Sequence, residues 1–412
     1  MTTTTSLGAA YHPFAGAHVT DPHPFFDGLR AQEPVTFNPV LGMWLVSRYE
    51  DVCAVLRDAR RFSNRDMLSS GAHLTDEARA ILARGYDTRH VLLGMDPPAH
   101  TRLRRLMNRG FTRARIAAMA PLIARVTHEL VDAFDGHDHA DLVEQLAYPL
   151  PVHVILGVMG VPEEDVWQIK RWSADWQGLA FEPIPAEDQP AMAEGVLAFQ
   201  RYCIELIEDR RRGPREDLTS YLVHAEHEGE RLTEHELVLA IGASMLSAGH
   251  ESTTALLANT WKVALEQGWW ERLREDRSRL LPFLEEASRW DSVSHGMVRT
   301  AVQDVVVGGV ELPAGSRLML LFASANRDEA ACPHAAQLDP EREGAARANL
   351  TFGRGTHFCL GAPLAKLQFE IATNALLDRL PELRLVDGQD HGVWQSLVLR
   401  QMRHLRVAWT PR

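Results

Sequence analysis

The sequence predicts a mainly α-helical protein with a small β region. Patterns typical of helices follow one another through the middle of the chain, separated by turn signals such as Gly136 and Gly213-Pro214. Strand-like patterns are few and short. The chain has 412 residues, of which 45% are hydrophobic and 24% charged, so it can bury a sizeable core. Because no internal repeat or low-complexity linker divides it, we expect residues 1–412 to form a single domain.

Local patterns predict the individual elements. Residues 42–48 gather β-forming side chains after the Asn38-Pro39 turn signal, and residues 49–58 predict a helix. Residues 305–313 alternate around a glycine pair as a hairpin does, and residues 393–409 favour further β structure. The other predicted helices span residues 114–135, 141–158, 163–178, 190–212, 216–227 and 278–291.

The longest predicted element is a single helix over residues 233–267. Thr233 and Glu236 form a capping-box pattern, and no proline follows before Gln267. Its centre, residues 238–249, carries no charge. A helix with an uncharged centre runs through the core of a globular protein rather than over its surface.

Charge and cysteine usage exclude several classes of protein. The formal net charge of −12 argues against a nucleic-acid or anionic-membrane partner. The 4 cysteines include no Cys-x-x-Cys pair, which excludes a disulfide scaffold and fits a reducing compartment. Residues 1–6 lack the features of a secretory signal, and no stretch is apolar enough to span a membrane. We expect a cytoplasmic protein.

The most informative stretch is Phe352-Gly-Arg-Gly-Thr-His-Phe-Cys-Leu-Gly361, after which a helix begins near Ala362. Its glycines permit a tight loop whose backbone amides can lie beside the sulfur and hold it as a thiolate. An arbitrary lone cysteine is usually buried and inert. The pattern around Cys359 distinguishes it from that case.

This stretch resembles the haem-ligand signature of the cytochrome P-450 family, Phe-x-x-Gly-x-x-x-Cys-x-Gly, at every fixed position. The resemblance implies haem b held between the long central helix and the cysteine loop. Cys359 would be the iron ligand, and Phe352, Gly353 and Gly361 would contact the haem. The family's Glu-x-x-Arg pair matches Glu286 and Arg289 in order and distance, with Arg342 as the third member. The resemblance implies a structural role for these three.

The long helix contains a segment similar to the family's distal motif. Ala248 and Gly249 would leave room for dioxygen against the haem, Glu251 would supply protons and Ser252 would hold the dioxygen. The family usually has threonine where Ser252 stands, so Thr253 is a second candidate for the hydroxyl role.

Haem propionates need cationic or hydrogen-bonding partners when buried. The resemblance implies His100, Arg104, Arg299 and His357 for this role. Val293 stands where the family commonly has proline, close to the strand that carries Arg299.

By analogy with the family, the substrate pocket is lined from the 62–95 and 172–185 segments, the long helix, and the turns at 293–298 and 396–398. The Trp172/Trp176 pair at helical spacing is also typical of a core. The predicted pocket residues are Leu92, Trp176, Phe181, Ile241, Met245, Val293, Val298 and Leu397. They suggest an apolar substrate with aromatic or cyclic character.

The resemblance implies a monooxygenase that inserts one oxygen atom from O2 into this substrate. Electrons would come from NAD(P)H through ferredoxin reductase and ferredoxin, or equivalent separate proteins. An arginine cluster could steer the partner: Arg102, Arg105, Arg109, Arg113 and Arg115. Aromatic coupling or ring closure without oxygen insertion, and a haem-binding sensor without turnover, remain alternatives. Glu251 and Ser252 argue against a peroxide-driven oxygenase.

Overall fold

The computed structural model describes residues 6–69 and 74–410. Residues 1–5, in the segment tested for a secretory signal, and residues 70–73, in the predicted 62–95 pocket segment, lie outside the described residues. The α-helices of the described chain are α1 (Leu7–Ala10), α2 (Ala17–Thr20), α3 (His23–Gln32), α4 (Tyr49–Arg57), α5 (Asp76–Leu82), α6 (Ala99–Asn108), α7 (Arg113–Ala118), α8 (Ala120–Asp132), α9 (Pro149–Met159), α10 (Val166–Phe181), α11 (Gln189–Arg212), α12 (Leu218–His224), α13 (Glu234–Leu239), α14 (Glu251–Glu266), α15 (Trp270–Glu275), α16 (Leu280–Trp290), α17 (Phe322–Ala325), α18 (Ala345–Ala348) and α19 (Ala362–Arg379).

The strands are short and form small sheets. They are β1 (Val35–Asn38), β2 (Met43–Val46), β3 (Phe62–Ser63), β4 (His139–Asp141), β5 (Glu226–His227), β6 (Glu230–Arg231), β7 (Met297–Ala301), β8 (Val305–Val307), β9 (Val310–Leu312), β10 (Arg317–Leu320), β11 (Arg384–Leu385) and β12 (Arg406–Ala408). The largest sheet has the order β1-β2-β10-β7-β3, with β2 and β10 parallel and its other pairs antiparallel. The predicted mainly α class with a small β region is confirmed.

The hairpin of β8 and β9 is confirmed at its predicted place. Gly308 and Gly309 form its turn with φ angles of 55° and 84°. Two positive φ angles in succession are what a tight hairpin turn requires, and glycine adopts them at little cost.

Two predicted helices begin or divide at proline. The predicted helix 114–135 is two helices, α7 and α8, because Pro121 lies in the first turn of α8, where its missing N–H costs nothing. The predicted helix 141–158 starts as strand β4, continues as one π-helical segment, and becomes α-helical only at Pro149.

The prediction of one unbroken helix over residues 233–267 is wrong. The capping box at Thr233 is present, but α13 ends at Leu239. A π-helical segment, Ala240–Ser247, and a turn over residues 248–250 separate it from α14. Residues 238–243 and 245–247 of the charge-free centre are buried, as predicted, whereas Ser244, Ala248 and Gly249 are partly or fully accessible where they line a cavity.

The helices pack around one large apolar cluster. Leu156 of α9, Trp261 of α14, Phe283 of α16 and Phe369 of α19 are all fully buried in it. The indole of Trp261 donates a hydrogen bond of 2.9 Å to Thr373, which joins α14 to α19. Within the described ranges, no helix has the length and hydropathy needed to cross a bilayer.

A buried charged network fixes the segment that precedes the cysteine loop. Nε and Nη2 of Arg289 donate to the two carboxylate oxygens of Glu286, at 2.8 and 2.7 Å, and Arg342 donates to the same carboxylate at 3.3 Å. Arg289 also donates to the carbonyls of Asn326 and Ala335. The side chains of Glu286 and Arg289 are 0% exposed. The network therefore ties α16 to the irregular segment 326–342, consistent with a structural role.

Removing the charge of Glu286 should destabilise the protein strongly. In Glu286→Gln the guanidinium of Arg289 stays buried without a full countercharge, and we expect a loss of about 3–5 kcal/mol in the free energy of unfolding. Urea unfolding followed by circular dichroism measures it. The control is Glu341→Gln, which removes the ion pair between Glu341 and Arg279. The Glu341 side chain is 70% exposed, so this change should cost less than about 1 kcal/mol. Equal losses in the two variants would contradict the argument.

Candidate active site

The cysteine loop is shaped by glycines. Gly353 and Gly355 have φ angles of 70° and 72°, in the left-handed region. A Cβ on Gly355 would also lie 3.0 Å from the carbonyl oxygen of Leu56. The backbone N–H of Cys359 donates back to Phe352 at 2.9 Å, which closes the loop just before α19 begins. The loop thereby presents the sulfur at the wall of an internal cavity.

The environment of Cys359 combines opposing electrostatic effects. Although the cavity leaves Cys359 accessible, the protein around it displaces bulk water, and this desolvation raises the pKa of the thiol. Hydrogen bonds from the backbone N–H groups of Gly361 and Ala362, and the positive charge of Arg104, act in the opposite direction. Backbone amides at the start of α19 thus point at the sulfur, where they favour a thiolate and tune a metal bound to it.

The cavity has a volume of about 290 Å³ and mostly apolar walls. One wall is the cysteine loop with the start of α19. Another is the π-helical segment and the turn that follows it, including Met245, Ala248 and Gly249. The predicted distal residues Glu251, Ser252 and Thr253 also line it. The structure thus brings the predicted cysteine-loop and distal residues to one cavity.

Four predicted propionate partners converge beside Cys359. The ring centres of His100 and His357 lie 4.1 Å apart. Burial lowers the pKa of His100 to about 4 and that of His357 to about 2. Arg104 donates to the carbonyl of Phe358, and Arg299 to that of Val298, each at 2.7 Å. Burial lowers the pKa of Arg299 to about 10.

These side chains fit a buried anionic group. Both ring nitrogens of His100 and Nε2 of His357 are buried without a hydrogen-bond partner in the described chain. Buried polar atoms normally have partners, so the cluster calls for one that the protein itself does not supply. Two carboxylates carried on an apolar ring system would satisfy these atoms and fill the adjacent cavity. The donor set therefore fits haem propionates, and Cys359 is the residue that would bind the iron.

The turn after the π-helical segment is held open by side chains. A Cβ on Gly249 would lie 2.4 Å from the carbonyl oxygen of Met245, so only glycine fits. Nδ1 of His250 donates to the carbonyl of Leu246 at 2.7 Å, and the amide of Gln177 donates to that of Ser247 at 3.2 Å. These two side chains bind carbonyls that the N–H groups of a regular helix would otherwise bind.

Glu251 is held by a lysine that the sequence did not identify. Nζ of Lys170, on α10, lies 2.5 Å from its carboxylate and 3.9 Å from the centre of the Tyr148 ring. Nε2 of His250 lies 3.4 Å away. Burial opposes the charged form of Glu251, but contact with His250 and the charge of Lys170 lower its pKa to about 2. Glu251 is therefore an ionised carboxylate bound to α10.

Five of the predicted pocket residues line the cavity: Leu92, Trp176, Phe181, Met245 and Val293. Trp172, one turn before Trp176, instead stacks on Phe199 in the core. Met67 and Gln177 also line the cavity.

The other three predicted pocket residues lie off the cavity wall. Ile241 packs in the main core, because the wider π-helical turn shifts the phase on which the prediction relied. Val298 points away since side chains alternate along β7, and its neighbours Met297 and Arg299 face the cavity. Leu397 packs in a second core cluster, and Val398 and Leu399 line the cavity in its place.

Comparisons with known proteins agree with this geometry. The family model described as cytochrome P450 matches residues 272–391. The chain is 37% identical to mycinamicin IV hydroxylase/epoxidase of Micromonospora griseorubida, over 98% of this chain and 100% of that protein. It is 35% identical to 6-deoxyerythronolide B hydroxylase of Saccharopolyspora erythraea, over 92% of this chain and 94% of that protein. The solved structure of cytochrome P450 CREJ in complex with (4-ethylphenyl) dihydrogen phosphate superposes with a TM-score of 0.91 at 30% identity, over 98% of this chain and 100% of that one.

A sulfur-bearing loop and an interrupted helix that border the same buried cavity are the arrangement of haem-thiolate proteins. Identity along nearly the whole length of its relatives makes the particular family plain. The chain belongs to the cytochrome P450 family. Its named relatives are hydroxylases and monooxygenases, so the protein is an oxidoreductase of the monooxygenase class.

Proposed function

We propose that the protein is a cytoplasmic, single-domain haem b monooxygenase that inserts one oxygen atom from dioxygen into a largely apolar, cyclic organic molecule. The observation that carries the proposal is the cavity that joins the Cys359 loop to the distal turn at Gly249. Haem bound through a cysteine thiolate supplies the chemistry that cleaves dioxygen. The protein's own groups bind the substrate, exclude water and move protons.

The apolar walls support the proposed substrate class. Leu92, Trp176 and Phe181 enclose the cavity on the side that α10 covers, and Val293 and Val398 enclose it beside β7. The carboxylate that lines it, Glu251, is already paired with Lys170. A cationic substrate would therefore lose its hydration without gaining a free carboxylate partner there. The arginines that line the cavity near Cys359, Arg104 and Arg299, are assigned to the haem propionates. The named hydroxylase relatives act on mycinamicin IV and 6-deoxyerythronolide B, so compounds of these kinds are the first to screen.

Isotope-labelled dioxygen tests the proposed function. A library of neutral cyclic compounds is first screened for a shift of the haem Soret band, and each ligand found is then turned over with NADH, ferredoxin reductase and ferredoxin. We expect one labelled oxygen atom per product molecule. Unlabelled coupled or ring-closed products would favour the alternative oxidase, and binding without product would favour a sensor. Cys359→Ser is the control, and it should abolish both turnover and the thiolate-type spectrum of the reduced carbon monoxide complex.

Glu251 is proposed to deliver protons, and its ion pair with Lys170 sets how it does so. A carboxylate held with a pKa of about 2 carries no proton at neutral pH, so it relays protons only when its contact with Lys170 opens or passes one on. Ser252 and Thr253, which line the cavity next to it, are the hydroxyls that can position dioxygen.

Replacing Glu251 with glutamine should separate binding from turnover. Glu251→Gln keeps the shape of the side chain but removes its acid–base function, so we expect product formation to fall about 100-fold while the ligand-induced Soret shift is retained. Single-turnover and steady-state rates measure it. Glu266→Gln, at the far end of the same helix, is the matched control and should leave the rate unchanged. Full activity of Glu251→Gln would mean that protons enter by another path.

Separate redox partners are part of the proposal. The solved structure of an intact type IV self-sufficient cytochrome P450 monooxygenase superposes with a TM-score of 0.93 at 32% identity, over 99% of this chain and 54% of that chain. We propose that a ferredoxin, or an equivalent protein, brings electrons from NAD(P)H through its reductase.

Two arginines of the predicted cluster remain available to a partner. Arg102 pairs with Glu230 and Glu236, Arg105 lies 3.8 Å from Glu228, and Arg115 covers the ring of Tyr221. Arg109 and Arg113 are exposed, and neither has an ion pair within the part of the chain that the structure describes.

Reversing these two charges should slow electron transfer. In the double variant Arg109→Glu/Arg113→Glu we expect the rate of reduction by ferredoxin to fall about tenfold at low salt, with a smaller difference at high salt, because exposed charges act mainly on association. Stopped-flow reduction under carbon monoxide measures the rate. Arg201→Glu, an exposed position on α11, is the control. An unchanged rate in the double variant would remove the docking proposal.

A further inference from the structure

A short ribbon forms part of the cavity wall. It consists of residues 293–295 and 398–400, which we call the wall ribbon. The N–H of Arg400 donates to the carbonyl of Val293, and the N–H of His295 to that of Val398, each at 2.8 Å. Ser294 and Leu399 pair as an antiparallel bridge between them. The wall ribbon contributes Val293, Ser294, Val398 and Leu399 to the cavity.

A buried ion pair closes one end of the wall ribbon. The guanidinium of Arg400 binds the carboxylate of Asp291 through Nη1 and the backbone carbonyl of Thr20, at 2.6 Å, through Nη2. Their side chains are 13% and 6% exposed. Asp291 lies two residues before the first strand of the wall ribbon, and Arg400 ends the second. The Arg400 side chain therefore joins both strands to each other and to the last residue of α2.

The wall ribbon is also attached to the helix that covers the cavity. The N–H of Leu397 donates to the carbonyl of Phe181 at 2.9 Å. Phe181 is the last residue of α10 and lines the cavity. A shift of segment 396–400 would therefore move three parts of the substrate wall together: both strands of the wall ribbon and the end of α10.

We propose that Asp291 and Arg400 are positioning residues that determine which substrates the protein accepts, by fixing the wall ribbon at the cavity. The inference rests on the proposed function, since it names what selects the substrate of that same cavity. Neither charged group lines the cavity, so they act through the wall they hold.

The chain can tolerate the loss of Arg400 well enough to be tested. Lys262 of α14 lies 3.3 Å from Asp291, so the buried carboxylate keeps a countercharge. His23 lies 3.9 Å from it as well. A carboxylate with one remaining cationic partner avoids the large penalty of an uncompensated buried charge. Arg400→Met should thus fold and bind haem while losing the link between the strands.

Ligand titrations of the haem protein provide the test. Imidazole reaches the iron without filling the cavity, whereas 4-phenylimidazole and clotrimazole extend progressively toward its walls. In Arg400→Met we expect the dissociation constant of imidazole to change less than about twofold and that of the largest azole bound to rise about tenfold. Arg400→Lys keeps the charge but not the forked link. Its dissociation constant for the largest azole should therefore lie between those of the unchanged protein and Arg400→Met.

A matched variant separates positioning from general damage. Arg403→Met makes the same change three residues later, at an exposed side chain that covers the ring of Trp394, and should leave both dissociation constants as they are. Two results in Arg400→Met would overturn the inference. One is an unchanged ratio of the two dissociation constants, and the other is tighter binding of the large azole. Because azole binding needs no turnover, the result stands apart from the labelled-dioxygen experiment.

Discussion

The rest of the structure depends on the presentation of one sulfur atom at the wall of a buried cavity. A thiol in such a place favours its neutral form, and directed dipoles together with the charge of Arg104 offset this preference. The loop provides them by turning twice in the left-handed region, at Gly353 and Gly355, so that the amides at the start of α19 reach Cys359. Gly361 and Ala362 can donate to the sulfur because they end the loop and begin α19.

The helical segment that borders the same cavity is also irregular, and this irregularity shapes the site. A continuous α-helix would fill the space that the turn after the π-helical segment leaves open, and its carbonyls would be bound to its own N–H groups. Here His250 and Gln177 bind two of those carbonyls. Since Gln177 and Lys170 both come from α10, the helix that covers the substrate space also holds the distal turn and Glu251. Covering the cavity and holding Glu251 in its ionised form are therefore physically linked.

The sequence predicted those parts of the site whose residues lie close together in the chain. The cysteine loop and the Glu286 and Arg289 pair resemble family motifs whose fixed residues lie close together in the chain, and the structure brings these residues together as the resemblance implies. Lys170, Gln177 and Arg400 escaped prediction because their partners lie far away in the chain and a lone lysine or arginine gives no local signal. Ile241 was misplaced for another reason: a prediction based on 3.6 residues per turn loses phase at a π-helical segment.

Buried ion pairs recur around this cavity, and their energetic cost explains what they do. Glu286 with Arg289 lies behind the cysteine loop, Lys170 with Glu251 beside the distal turn, and Asp291 with Arg400 at the wall ribbon. Burying a charged pair gains little net stability, because lost hydration offsets the attraction. An apolar contact of similar volume would stabilise the protein equally well, but it would allow the joined segments to slide past each other. Directional hydrogen bonds from a guanidinium or ammonium group prevent such sliding. Lys170 with Glu251 joins segments distant in the chain, as does Asp291 with Arg400, and Arg289 does so through the carbonyls of Asn326 and Ala335. A small displacement at any of these points would change the cavity, so what the pairs contribute is the shape of the site.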